Sequence, residues 1–89
     1  MTPETIIKNQ CRDYLRWKGW FVFPVLQGLG AHRGISDMIA VKDGQTLFVE
    51  IKTPKGRQSE HQKRFEADIV EHGGSYLLIR SLDDLMEMV

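Results

Sequence analysis

The spacing of apolar positions changes repeatedly along this chain, and each change marks an element. Ile7, Cys11, Tyr14 and Leu15 share one side of a helix, as expected for a segment with its apolar stripe turned inward. Thr2 is the N-cap, Pro3 occupies the first turn and Glu4 sits near the positive end of the dipole, so this helix is predicted to run to about Lys18 and stop at Gly19. Residues 20–26 are rich in aromatic and β-branched side chains and predict a strand, with Pro24 marking an edge or a strand end. Glycines recur through 27–34, which makes that stretch a loop. Two apolar runs follow near 36–42 and 46–53, and Thr53-Pro54-Lys55-Gly56 ends the second. Ser59-Glu60-His61-Gln62 is a capping-box pattern that opens a helix ending at Gly73-Gly74. Residues 76–79 predict a short buried strand, and Ser81 begins a last helix through Leu82, Leu85 and Met86. The order αβββαβα implies an α/β fold: a mixed central sheet of about four strands with helices packed on it. No repeat, low-complexity stretch or linker interrupts residues 1–89, so one domain is expected.

The hairpin carries the chemistry. Asp43-Gly44 between apolar runs signals a tight two-residue turn, because Gly tolerates the positive φ such turns demand. Lys42 then faces Gln45, and counting back sets Ala40 against Leu47, Ile39 against Phe48 and Asp37 against Glu50. Asp37 and Glu50 form a non-hydrogen-bonded pair, the closer kind, with Cα atoms roughly 4.5 Å apart. Lys52 projects from the same face. Facing carboxylates repel, and Lys52 alone is a weak counterweight, so a divalent cation is expected between them. A solvated ladder of charges is the alternative, and the apolar neighbours Ile39 and Phe48 on that face count against it.

Composition narrows the rest. The formal net charge is zero, which argues against broad non-specific affinity for nucleic acid. Its distribution is uneven: Lys52, Lys55, Arg57, Lys63 and Arg64 gather in 52–64 against the single acid Glu60, whereas Asp83, Asp84 and Glu87 make the end of the chain acidic. A polyanion would approach the former segment, and Arg33, Lys55, Arg57, Lys63 and Arg64 are candidate phosphate contacts, with solvated surface charge as the competing reading. The one cysteine, Cys11, can form no internal disulfide and reads as core. His32, His61 and His72 lack a paired spacing, which argues against zinc. Trp17 and Trp20 flank the first helix's end and read as core or interface. No apolar run approaches the roughly 18 residues of a membrane span, so a soluble, cytoplasmic protein with no membrane partner is expected. A chain this small buries only about 60–65% of its unfolded surface and gains from a partner subunit, which makes a homodimer plausible.

Gly34-Ile35-Ser36-Asp37 followed at a hairpin's distance by Glu50-Ile51-Lys52, in this element order, resembles the PD-(D/E)XK nuclease superfamily. More closely it is similar to the virus-type replication-repair nuclease (VRR-NUC) family, whose small stand-alone members are often carried by phages. The resemblance extends from Glu4 and Trp17-Lys18-Gly19, through the Lys55-Gly56-Arg57 turn and Gln62, to Arg80-Ser81. Ser36 stands where the superfamily name has proline, a position that contributes shape rather than a ligand.

That resemblance implies a restriction-endonuclease-like core and a Mg²⁺- or Mn²⁺-dependent deoxyribonuclease. The residue types agree, since Asp37 and Glu50 offer hard oxygen ligands and Lys52 can orient a nucleophilic water. The resemblance adds the Ile51 backbone carbonyl as a further metal ligand, an acidic first-helix residue (Glu4) beside the metal, and a catalytic role for Gln62. Capping is the other reading of Gln62, and the helix dipole is the other reading of Glu4. Gln62 shares a helical face with Phe65 and Ile69 and is expected to point toward the sheet. The branched substrate of a Holliday-junction resolvase is also the resemblance's implication, and two-fold symmetry suits it, because a homodimer offers two equivalent sites to a four-way junction. A flap- or end-processing nuclease of a phage replication apparatus, acting in the host cytoplasm, is one alternative. A non-catalytic DNA-binding module is the other.

Overall fold

The computed structural model describes residues 1–26, 28 and 30–89. Helix α1 spans Pro3–Trp17, strand β1 Phe21–Pro24, β2 Met38–Lys42, β3 Gln45–Ile51, helix α2 Glu60–Glu71, β4 Ser75–Ile79 and α3 Leu82–Met88. The expected order αβββαβα is therefore present. The four strands form one sheet in the order β1-β2-β3-β4, antiparallel across the first two junctions and parallel between β3 and β4. The parallel junction requires a crossover, and α2 supplies it.

Side chains alternate across the sheet, and its faces have different partners. One face presents Val22, Met38, Ala40, Leu47, Val49, Ile51 and Ile79 to Cys11 and Leu15 of α1 and Leu85 of α3, which together with Trp20 make the buried core. The other presents Phe48 and Tyr76 to Phe65 of α2, with ring centroids 5.7 and 6.1 Å apart. Helices thus cover both faces of the sheet, as expected of an α/β protein.

Local signals set the element ends. The Thr2 hydroxyl accepts the Thr5 N–H at 3.1 Å. Asp43 and Gly44 both adopt positive φ, 51° and 79°, as a type I′ hairpin turn requires, and Lys42 pairs with Gln45 as counted. Ser59 and Gln62 close a reciprocal capping box on α2, and the Ser81 hydroxyl accepts the Asp84 N–H at the start of α3.

Several expectations shift. The first strand is shorter than 20–26 and lies at the sheet edge with Pro24 as its last residue. β2 begins at Met38 rather than near 36, and β3 ends at Ile51 rather than near 53. Residues 76–79 were expected to be buried, yet in β4 only Ile79 is; the strand lies at the other edge, and α2 covers its outer face in part. Trp20 is buried, whereas Trp17 is 80% exposed and joins no core. Within the predicted loop 27–34, Gln27 and Leu29 fall outside the described residues. Gly34 has φ 77°, and a Cβ there would collide with the His61 carbonyl in the first turn of α2. Only glycine permits that approach, which seats the end of the loop on the N-terminus of α2. Among the described residues no helix is long and apolar enough to cross a membrane.

Candidate active site

The β2–β3 ladder ends with Met38 opposite Val49. Continuing that register sets Asp37 opposite Glu50, on the face that carries Ile39 and Phe48. The next rung would take the Ile51 N–H to the backbone of residue 36. Instead the Asp37 carboxylate accepts that N–H through Oδ2 at 2.6 Å, which is why the regular strand starts one residue later. Its other oxygen, Oδ1, lies 3.6 Å from the Lys8 ammonium of α1.

Glu50 is 0% exposed. A buried carboxylate needs donors, since desolvation is otherwise severe. Oε1 has two: the Tyr76 hydroxyl of β4 and the Gln58 amide, whose Nε2 lies 3.4 Å away and also donates to Glu66 Oε1 at 3.0 Å. Oε2 has no hydrogen-bond partner and faces Lys52 Nζ at 3.9 Å. Burial, and then the hydrogen bond to Glu50, push the Tyr76 phenol well above its ordinary range, so it remains a proton donor.

The two carboxylates are therefore arranged alike. Among the described residues, each has one oxygen held by N–H or O–H donors and one oxygen opposed only by a lysine ammonium at a distance too long for a good hydrogen bond. An orphaned oxygen on a wholly buried carboxylate is an expensive feature, and hard oxygen donors of this kind suit a small divalent cation. Asp37, Glu50 and the Ile51 backbone thus lie at the same end of the hairpin, and the carboxylate oxygens are of the kind that suits such an ion.

The remaining candidates are more scattered. Glu4 is half-buried one helical turn before Lys8, but among the described residues no group of three or more His, Cys, Asp or Glu side chains is arranged to hold a metal. Gln62 Oε1 accepts the Ser59 N–H at 2.8 Å, so the capping role is realised; the glutamine that reaches Glu50 is Gln58. Gln62 nonetheless lines a cleft of 410 Å³ together with Asp37, Arg33, His32, His61 and Ser59. Lys55 and Arg57 are exposed on the turn after β3, which Arg80 staples by donating to the Thr53 and Gly56 carbonyls at 2.7 and 2.6 Å. Lys63 and Arg64 are exposed and pair with Glu60 and Asp68 at 3.3 and 3.7 Å.

Sequence reasoning missed Lys8, Gln58 and Tyr76. Lys8 follows Glu4 by four residues and so shares its helical face, a signal that was present. Tyr76 emerges only from the parallel register, which places Phe48 against Tyr76 and Glu50 against Leu78. No local pattern sets that offset.

Neither the protein-family models nor the curated proteins provide a match to the sequence. A solved structure described as a VRR_NUC domain does match, with TM-score 0.87 over 99% of this chain and 95% of that one at 20% sequence identity. The chain has the fold of that VRR_NUC domain, an α/β core whose mixed four-stranded sheet carries Asp37, Glu50 and Lys52 at the open end of its central hairpin.

Proposed function

We propose that this protein is a VRR-NUC-family, divalent-metal-dependent DNA endonuclease, and that residues 1–89 form its nuclease domain. The observation that carries this reading is the β2–β3 register, which continued one rung beyond Met38 and Val49 sets Asp37 opposite Glu50, together with the buried Glu50 Oε2, which has no hydrogen-bond donor among the described residues and faces Lys52. Mg²⁺ or Mn²⁺ would be held by Asp37, Glu50 and the Ile51 carbonyl, with Glu4 as the further acidic ligand from the first helix. When bound, such an ion supplies a Lewis acid that offsets charge on the reacting phosphate and makes water more acidic at neutral pH.

The chain's own residues do the rest. Lys52 steers the attacking water and balances the charge that develops in the transition state. Gln62 holds water or phosphate at the cleft wall while its oxygen secures the helix cap. Arg33 at the cleft, with Lys55, Arg57, Lys63 and Arg64 beyond it, draws the DNA backbone in and fixes its orientation without reading sequence. The ion pairs of Lys63 and Arg64 are exposed, so exchanging a carboxylate for a phosphate costs little.

The substrate is branched DNA cut by a homodimer. The family resemblance supports that reading, because a two-fold dimer matches the two equivalent strands of a four-way junction. The test is cleavage of four-way, flap and linear DNA with Mg²⁺ or Mn²⁺, beside the Glu50→Gln variant, with sedimentation at the same concentration. Paired symmetric nicks in the junction by a dimeric protein are expected. Preference for flaps or ends, or a monomer in sedimentation, contradicts the junction reading, and cleavage that survives in Glu50→Gln contradicts the nuclease site.

A further inference from the structure

Glu50 is wholly buried, yet its two oxygens are treated unequally. Oε1 receives the Tyr76 hydroxyl and the Gln58 amide, whereas Oε2 has no donor and faces Lys52. A structural role alone would be served as well by sharing the donors between the oxygens. The asymmetry leaves one oxygen to act.

We infer that Tyr76 and Gln58 are positioning residues, a two-point clamp on Oε1 that fixes the Glu50 carboxylate so that Oε2 alone is presented to a divalent cation. The inference rests on the metal-dependent reading above and extends it to residues that touch neither cation nor DNA.

The clamp is rigid for reasons visible in its surroundings. Tyr76 lies in β4 opposite Phe48, two residues from Leu78, the partner of Glu50, so its side chain shares the face of Glu50 and reaches it along the diagonal. Its ring packs edge-on against Phe65, which packs edge-on against Phe48. These three rings from β3, α2 and β4 leave the phenol little freedom to swing away. Gln58, just before the Ser59 cap, is held in turn by Glu66, so its Nε2 spends one hydrogen on each carboxylate. Each donor is thus fixed by a neighbour that does not itself touch Glu50 Oε2. Donors behind a ligating carboxylate set its orientation, and losing one typically weakens metal affinity about 10–100-fold.

The test uses the full chain, with Mn²⁺ as the probe. Tyr76→Phe keeps the ring and deletes only the donor; Gln58→Leu removes the second donor from outside the sheet. Mn²⁺ binding is measured by calorimetry on the parent and both variants, with circular dichroism and thermal melting in EDTA as the check on folding. Both variants are expected to bind Mn²⁺ about 10–100-fold more weakly than the parent, and their cleavage to require correspondingly more Mn²⁺. A folded variant that binds Mn²⁺ as tightly as the parent overturns the inference; should Tyr76→Phe fail to fold, the Gln58→Leu value decides. A parent chain that binds no Mn²⁺ overturns the metal site itself, and a parent that binds with variants to match overturns the clamp alone.

Discussion

The Asp37 carboxylate accepts the backbone N–H of Ile51 at 2.6 Å, so a side chain finishes a ladder that the backbone leaves open. Asp37 consequently has a structural task beside the chemical one proposed for it, and substitutions can separate the two. Asp37→Asn keeps an oxygen for the Ile51 N–H and should leave stability within about 1 kcal/mol, whereas Asp37→Ala strands that N–H and should cost about 1–3 kcal/mol. Both should lose cleavage. Urea denaturation beside a nicking assay checks this, and equal stability of the two variants would refute the structural half.

Gln62 is the reverse case, because its capping oxygen is accounted for and its catalytic role is proposed. Glutamate also closes a capping box. Gln62→Glu should therefore melt like the parent while its added negative charge at the cleft lowers cleavage at least about tenfold, in the range of other polar active-site losses. Unchanged cleavage would assign Gln62 to the cap alone.

Gly34 joins the loop to α2 through positive φ and a contact too close for any side chain. Gly34→Ala should cost about 1–3 kcal/mol through backbone strain and collision with His61. Thermal melting reads it directly, and the cleft between Asp37 and Gln62 should open with it, lowering DNA affinity.

Cys11 is wholly buried, and burial together with the charge of Asp84 raises its thiol from an ordinary 9.0 to about 11. It should resist iodoacetamide at pH 8 until the chain is denatured. A folded-state pKa above the unfolded value means that the protonated thiol's contribution is fully present below pH 9.0 and fades as the pH rises toward 11. Melting of the parent relative to Cys11→Ala across that window should show the parent's advantage shrinking; a constant difference would contradict it.

Much of this was legible in the sequence, because the decisive signals are local. The Asp43-Gly44 turn fixes the register from Lys42 opposite Gln45 to Met38 opposite Val49, whose next rung is Asp37 and Glu50, and Ser59 with Gln62 announces its helix. What was not legible depends on distance in the chain. Tyr76 reaches Glu50 across a parallel pairing whose offset is set by the length and packing of α2, and Gln58 was overshadowed by Gln62, which has a better-known pattern but points its oxygen at the cap. The exposure of Trp17 followed from its place at the end of α1, one residue before the C-cap, where no other element covers it.

Asp37 and Glu50 are proposed to share one divalent cation. Calorimetric titration of Mn²⁺ into the parent, Asp37→Asn and Glu50→Gln, each confirmed folded, tests it most directly. Saturable binding to the parent and a loss of at least about 100-fold in each variant are expected, since each substitution removes a charged ligand oxygen. Binding of equal strength to all three, or none to the parent, would contradict it.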